Sequence, residues 1–314
     1  MYDRLIDKIK EYETIVIHRH IQPDLDALGS QLGMKALIES NFSDKTVHVL
    51  GENNEFSWIG TMDEVDDAVF NDALAIVLDV AGKERVSDQR FLSTKEKIVV
   101  DHHRNDSDFA DIFIGDPEKI ATCEMLVEMI EKHDLKVSKE AATYILSGLI
   151  TDSGRFLYPQ TTAYTFSAAS FLMRKGADLQ YIYNNLYQVD YNFQRLKGYF
   201  IHNFKQTPNN VAYMKNSSHL KDEYDVTTFT VSRGMVNQMA GIKGIDIWAN
   251  FTETDTGDIQ CELRSKSVPI VDIAKKYGGG GHDLACGCTA QSWEDVDNII
   301  EDLDAIAERI KQNG

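Results

Sequence analysis

The chain has 314 residues, long for one domain and comfortable for two of roughly 150 residues each. Charged residues make up 26% and the hydrophobic set 43%, so enough apolar surface exists to offset the entropy of ordering, and disorder is excluded for the bulk of the chain. The formal net charge is −18, from 32 basic and 50 acidic side chains, which argues against a protein that wraps long DNA or RNA, because such binding rests on neutralising many phosphates.

No stretch reaches the roughly 18 consecutive apolar residues of a membrane span. The segment from Met1 to His20 carries acids among its bases and lacks a small-residue cleavage site, so it does not read as a signal peptide. Cys123, Cys261, Cys286 and Cys288 are sparse for the length. They read as reduced thiols of a cytoplasmic protein, not as a disulfide framework.

In chain order, Thr14–Ile17 is a short β-rich run ending in His18-Arg19-His20, and a helical pattern follows from about Ala27 to Glu39. Thr46–Leu50, Leu74–Val80, Ile98–Asp101 and Ile112–Ile114 are further strand candidates. Near-continuous apolar strands separated by helices predict a parallel sheet covered on both faces. Helical patterns then dominate: Glu118–His133, Lys139–Leu149, Thr162–Lys175 and Leu179–Leu186. Tyr191–Asn203 reads as one more helix without core-like apolar density, bridging two domains. Pro208, Asn209 and Asn210 mark a turn. Beyond it, Val211–Met214, Val226–Val231, Asp246–Glu253 and Ile259–Ser265 read as strands, and Ile270–Tyr277 and Trp293–Ile310 as helices. The expected fold class is therefore α/β: residues 1–190 with a mostly parallel sheet flanked by helices, a linker helix over 191–209, and a smaller α/β domain over 210–314.

Chemistry-bearing residues collect at predicted strand ends. His20-Ile-Gln-Pro23-Asp24-Leu-Asp26-Ala27-Leu-Gly29-Ser30 follows the first strand. Asp79 closes the third, Asp101-His102-His103 closes the fourth, and Asp152 sits just after the Lys139–Leu149 helix. In an open parallel sheet the carboxyl ends of strands line the ligand crevice. Imidazole with carboxylate suits manganese, zinc, cobalt or iron better than an all-oxygen calcium site. One carboxylate bridging two ions about 3.5–4 Å apart is the usual arrangement for phosphoryl hydrolysis. Taken singly, each residue has a plainer reading. Asp24 or Asp26 is an ordinary helix N-cap or turn acid. Asp79 is a strand-end acid, the histidine pair a solvated turn, and Asp152 a loop acid. Their joint placement makes coincidence improbable.

The combination resembles the DHH phosphoesterase superfamily, named for the triplet present here as Asp101-His102-His103. The stretch 20–30, Asp79, the triplet and Asp152 match its four N-terminal motifs in order, and Gly278–His282 (GGGGH) resembles the glycine-rich signature of the associated DHHA1 domain. Length and spacing look most like the bacterial nano-RNase and pAp-phosphatase branch (NrnA-like). The resemblance implies one ion on His20, Asp24 and Asp79 and a second on Asp26, Asp79, His102 and Asp152, with Asp79 bridging and manganese as the common metal. It implies that His103 lies close to the substrate phosphate or donates a proton from one layer out, and that Asp101 orients the triplet. Arg104 and Asn105 extend the triplet toward substrate.

The second domain reads as a substrate clamp. The four glycines, with Gly279, Gly280 and Gly281 foremost, let backbone N–H groups approach an anion, and His282 follows them directly. Arg264, in Arg264-Ser265-Lys266 at a strand end, offers a planar fork to phosphate. The plainer readings are a helix C-terminal turn for the glycines and a surface strand residue for Arg264. Cys286 and Cys288 are expected to face opposite ways on one strand, which is poor geometry for chelation. Helix Glu118–His133 is expected to be a packing element, and His18, His48, His133, His202 and His219 stand apart from the motifs.

The resemblance implies hydrolysis of very short oligoribonucleotides or linear dinucleotides to mononucleotides, and of 3′-phosphoadenosine 5′-phosphate (pAp) to AMP and phosphate. Catalysis would rest on Asp79 and His103, in a chain that binds no long nucleic acid and no membrane and forms a homodimer. Two alternatives stand beside it: a family II inorganic pyrophosphatase, and a nucleotide-binding regulator with a silent metal centre.

Overall fold

The computed structural model describes residues 2–54, 56–104 and 107–313, which group into two units, Met1–Tyr187 and Gln188–Gly314. The first unit opens with a helix absent from the sequence reading, α1 (Asp3–Glu11), which buries Leu5, Ile6 and Ile9 on one side. β1 (Thr14–His18) leads into α2 (Leu25–Asn41), then come β2 (Thr46–Val49), β3 (Leu74–Leu78), β4 (Glu96–Asp101) and β5 (Ile112–Gly115). Four helices follow: α3 (Thr122–His133), α4 (Lys139–Asp152), α5 (Ala163–Arg174) and α6 (Leu179–Leu186).

The five strands are parallel throughout, in the order β2-β1-β3-β4-β5. From β1 the chain passes to one neighbour, then crosses back to place β3 on the other side. The carboxyl ends of β1 and β3 therefore flank a topological switch point, where open sheets form their crevice. One face of the sheet packs Ile15, Ile17, Ile76, Leu78 and Val100 into a core shared with the helices. The other packs Val16, Ala75, Val77 and Val99 with Phe70 and Phe91, which come from short 3₁₀ turns and not from α-helices. His18 is fully buried there between the same two rings, at centroid separations of 6.1 and 5.8 Å.

Glycines set how closely the helices approach. A Cβ on Gly29 of α2 would lie 2.4 Å from the carbonyl oxygen of Tyr144 in α4, and one on Gly148 of α4 would lie 2.8 Å from the Asp26 Cα. Only the missing side chains let these helices cross almost backbone to backbone. That crossing brings the start of α2 beside the end of α4.

The second unit begins with α7 (Tyr191–Asn203), followed by β6 (Lys205–Gln206), β7 (Val211–Asn216), α8 (Leu220–Glu223), β8 (Ile247–Glu253), β9 (Ile259–Ser265), α9 (Val271–Lys276), β10 (Gly280–His282), β11 (Ala285–Ala290) and α10 (Trp293–Asn313). Its sheet runs β10-β11-β9-β8-β7-β6, with β7 and β8 parallel and the other pairs antiparallel. Leu196 and Phe200 of α7 are fully buried in a cluster with Ala212, Met214 and Trp248, so this helix carries more core than its sequence suggested.

Two sequence expectations are corrected here. Val226–Val231 is not a strand; the segment turns into a π-helical stretch, Thr230–Gly234. Its β-branched residues suggested a strand, but Val231, Met235 and Met239 bury at helical spacing, and the Asn250 amide donates to the carbonyls of Val231 (2.7 Å) and Ser232 (2.6 Å) that the wide turn frees. Cys286 and Cys288 do not face opposite ways. Residues two apart on a strand share a face, and both pack on the core beneath α9 and α10, with Cys288 opposite Cys261.

Candidate metal centre

Each ligand-type residue reaches the carboxyl edge of the first sheet by a local device. His20 follows β1, and its Nδ1 lies 2.7 Å from the Ile21 carbonyl oxygen. His102 follows β4, and its Nδ1 lies 3.2 Å from the Lys119 carbonyl oxygen. A carbonyl can only accept, so both rings carry a proton on Nδ1 and turn Nε2 toward the acids. Asp24 caps α2, accepting from the N–H groups of Asp26 (2.9 Å) and Ala27 (3.0 Å), so the plain N-cap reading holds alongside its place in the cluster. Asp79 follows β3 with φ of 57°, a left-handed conformation that Asp tolerates better than most residues. Asp152 is the last residue of α4; the helix runs three residues further than Leu149, where the sequence reading ended it.

The distances converge on Asp79, which is 2% exposed. Its Oδ2 lies 3.5 Å from His20 Nε2, and its Oδ1 lies 3.5 Å from His102 Nε2 and 3.5 Å from His103 Nδ1. His20 Nε2 is 3.9 Å from Asp24, and His102 Nε2 is 3.3 Å from Asp152. Ligand atoms fall into three groups whose members lie within 4.8 Å of one another: His20-Asp24-Asp79, Asp26-His102-Asp152 and Asp79-His102-His103. Most of these spacings are too long for direct hydrogen bonds and suit donors that share a cation. The imidazole–carboxylate donor set fits a borderline or hard divalent ion.

Helix α3 does more than pack, which corrects the sequence expectation. It starts at Thr122, not Glu118, and its first N–H groups point at the site. Thr122 N–H donates to Asp26 Oδ2 at 2.7 Å and Cys123 N–H to Asp26 Oδ1 at 2.9 Å, a carboxylate seated on a helix N-terminus. The Thr122 hydroxyl donates to Asp79 Oδ1 at 3.2 Å. Sequence reading passed over Thr122, because a backbone donor has no side-chain signature.

Electrostatics follow from the crowding of acids. Burial, then the carboxylates of Asp79 and Asp152, push Asp26 well above the usual carboxylate range. Burial pushes Asp152 up to about 6, with His102 opposing and Asp79 assisting. Burial acts to lower His102, yet Asp79, Asp26 and Asp152 raise it to about 10. Burial acts to raise Asp79, but His102 and His20 hold it below the carboxylate range. Without a cation, this cluster balances its charge with protons. Asp101 is fully buried and accepts from the His103 backbone N–H (3.1 Å) and Nδ1 (2.8 Å), and that hydrogen bond raises the imidazole's pKa. Arg104 lies exposed beside His102, and Asn105 falls outside the described residues.

The second unit holds the other expected residues. Arg264 and His282 both pair with Ala285, from the two sides of β11, so their side chains share the face opposite the cluster of Cys261, Leu263 and Cys286. Arg264 is oriented by Glu262 at 2.8 Å and by the carbonyls of Leu263 (2.9 Å) and Cys286 (3.2 Å), all through its Nη atoms; among the described residues its Nε–H has no partner. The Ser265 hydroxyl accepts from the Val268 N–H at 3.0 Å. The glycine run is not a free loop. The N–H groups of Gly278 and Gly279 donate to Lys275 (3.0 Å) and Ala274 (2.8 Å) at the end of α9, so neither serves an anion. Gly280 and Gly281 lie in β10, and Gly281 passes so close to β11 that a Cβ would sit 2.7 Å from the Cys286 Cα.

Fold and donor set together define a metal-dependent phosphoesterase built on a parallel sheet. The pattern of the DHH family N-terminal domain matches residues 14–149 and that of the DHHA1 domain matches residues 211–309. The chain belongs to the DHH family. It is similar to the probable bifunctional oligoribonuclease and PAP phosphatase NrnA of Streptococcus mutans, 36% identical over 96% of this chain and 97% of that protein. It is also similar to the bifunctional oligoribonuclease and PAP phosphatase NrnA of Bacillus subtilis, 33% identical over 98% of both chains. Among solved structures, an exopolyphosphatase-related protein from Bacteroides fragilis superposes with a TM-score of 0.74 at 27% identity, over 98% of this chain and 97% of that one.

Proposed function

We propose that the protein hydrolyses very short oligoribonucleotides or linear dinucleotides to mononucleotides, and pAp to AMP and phosphate. The observation that carries this reading is the placement of Asp79 between two ligand groups, His20-Asp24 and Asp26-His102-Asp152. Full-length similarity to proteins named for both activities supports the substrate class. In this reading His20, Asp24 and Asp79 would hold one divalent ion and Asp26, Asp79, His102 and Asp152 a second, with manganese as the expected metal. When bound, such ions supply Lewis acidity that neutralises phosphate oxygens and makes water nucleophilic near neutral pH.

The chain's own groups supply position and proton. Asp101 takes the Nδ1 proton of His103 in a hydrogen bond, which leaves Nε2 to face substrate and favours the imidazolium. From Nε2 a proton passes to the departing 3′-oxygen as a water oxygen bonds to phosphorus, gives up one proton to solvent, and the P–O3′ bond breaks. Arg264 presents its Nε–H and a remaining Nη2–H to the terminal 5′-phosphate, with Ser265 next to it in β9 and Gly280, Gly281 and His282 across β11 in β10. Residues 1–190 form the catalytic domain, 191–209 a linker helix and 210–314 the substrate domain. The free cysteines support a cytoplasmic location, and a homodimer is the assembly this reading expects. None of the described helices is long and apolar enough to cross a membrane.

The test is turnover of a 5′-phosphorylated dinucleotide, pAp and pyrophosphate, with manganese and with magnesium. Dinucleotide and pAp hydrolysis lost in Asp79→Asn, with the circular dichroism spectrum retained, is the expected result. Asparagine keeps the left-handed backbone. Pyrophosphate as the preferred substrate points instead to a pyrophosphatase, and hydrolysis of nothing points to a silent regulator. A regulator of that kind would be expected to lack a ligand, and His20, Asp24, Asp26, Asp79, His102 and Asp152 are all present.

A further inference from the structure

Beside the metal centre the first unit holds a cavity of about 430 Å³, within the range of small-molecule sites. His102 and Asp152 line it, so its occupant lies next to any phosphate held at the centre. Its walls also carry Arg104, Tyr158, Pro159 and Gln160. Arg104 is exposed and has no partner among the described residues, whereas the nearby Lys119 ammonium is taken by Glu128 at 2.9 Å. The Tyr158 ring is 55% exposed and rests against the backbone of Gly154, where a Cβ would lie 2.6 Å from it.

An unusual backbone presents that ring. Gly154, Arg155 and Phe156 are left-handed in succession, with φ of 56, 60 and 66°, and two of the three are not glycine. Such a run persists only where its surroundings over-determine it. Here the Arg155 N–H donates to Ile150 (2.7 Å), the Phe156 N–H to Ser153 Oγ (3.0 Å) and the Tyr158 N–H to the Ser153 carbonyl (3.1 Å). The Phe156 ring stacks on Phe166 at 5.2 Å, and the Arg155 guanidinium lies 5.3 Å from the centre of the Tyr187 ring. The chain is thereby turned back on the end of α4, so that residues 158–160 share a cavity with Asp152.

Substrate chemistry says what fits. In pAp the scissile phosphorus bears one nucleoside, through the leaving 3′-oxygen. In a dinucleotide it bears a second, through a 5′-oxygen. We propose that the cavity receives this second nucleoside, which a dinucleotide has and pAp lacks; the assignment rests on the proposed function. The exposed tyrosine face stacks on a base whatever its identity. Gln160 offers an amide to the sugar or base edge, and Arg104 a charge to the phosphate beside it. The bonds made and broken are the same for both substrates, and only the dinucleotide fills the cavity.

The experiment compares kcat/KM of the metal-loaded full chain for a 5′-phosphorylated dinucleotide and for pAp in Tyr158→Ala, Tyr158→Phe and Gln160→Ala. Tyr158→Ala is expected to lower the dinucleotide value about tenfold or more, chiefly through KM, and the pAp value far less, while Tyr158→Phe keeps the ring and most of the activity. Proportional losses on the two substrates overturn the assignment. Should Tyr158→Ala not fold, Gln160→Ala decides: a raised dinucleotide KM against a steady pAp KM supports the cavity, and an unaltered ratio overturns it. Wild-type protein that hydrolyses neither substrate overturns the proposed function itself, a result distinct from wild-type activity with an unselective Tyr158→Ala.

Discussion

Thr122 gives to both carboxylates that matter most, its N–H to Asp26 and its hydroxyl to Asp79. Thr122→Val keeps the shape and the N–H but removes the hydroxyl. Metal affinity is expected to drop by about 10–100-fold, as for other groups that orient ligands, read by titration calorimetry with manganese. The protonation of the cluster gives a second expectation. The folded, metal-free protein holds the Asp152 proton up to about 6, against an ordinary 3.8, so the stability this contributes is present below 3.8 and lost as pH rises through 6. The His102 contribution is full below 6.5 and lost as pH rises through about 10. Both slopes run the same way, so this cluster makes the metal-free protein less stable toward alkaline pH. A cation displaces the same protons. Binding is therefore expected to strengthen with pH and to release protons, seen as a buffer-dependent calorimetric enthalpy; proton uptake would contradict it. At this scale the ligand candidates were readable because acids and histidines are conspicuous at the ends of apolar strands. Thr122 was not, since its contribution depends on where a helix starts.

Helix crossings decide whether the candidate ligands meet. A Cβ at Gly148 would lie 2.5 Å from Cys123 Sγ and 2.8 Å from Asp26 Oδ1. Gly148→Ala is thus expected to cost about 1–3 kcal/mol of stability and to weaken metal binding, measured together by thermal melts with and without manganese. A loss of stability with intact metal affinity would separate the crossing from the site. The alternating or continuous apolar runs made β1, β3, β4, β8 and β9 legible within a residue or two. Val226–Val231 misled because β-branched residues also pack in a helical turn when a neighbour such as Asn250 satisfies the freed carbonyls. The glycine run was legible as a special backbone but not as a strand, because glycines carry no alternation to read.

All six candidate metal ligands lie between residues 20 and 152, inside the first unit. Manganese binding to this unit is therefore expected to slow hydrogen exchange in peptides covering 20–30, 76–82, 100–104 and 148–154. Peptides from 188–314 are expected to be unaffected until a nucleotide is added, and protection spread evenly over both units would contradict the assignment. The two-unit organisation was legible from the restart of strands after Pro208. The part played by α7 in the second core was not, because its two buried residues, Leu196 and Phe200, are spread thinly among polar ones.

Asp26 and Asp152 stand 126 positions apart in the chain, yet they belong to one group of ligand atoms. During synthesis, the ribosome must release the whole of α4 before a cation can find its full complement of donors. Nothing emerging earlier can hold the ion as the finished protein does, so maturation of the centre is tied to the last helical turn of α4. A nascent chain stalled before that turn would carry His20, Asp24 and Asp79 but could not complete the Asp26-His102-Asp152 group, however much of the sheet has already assembled.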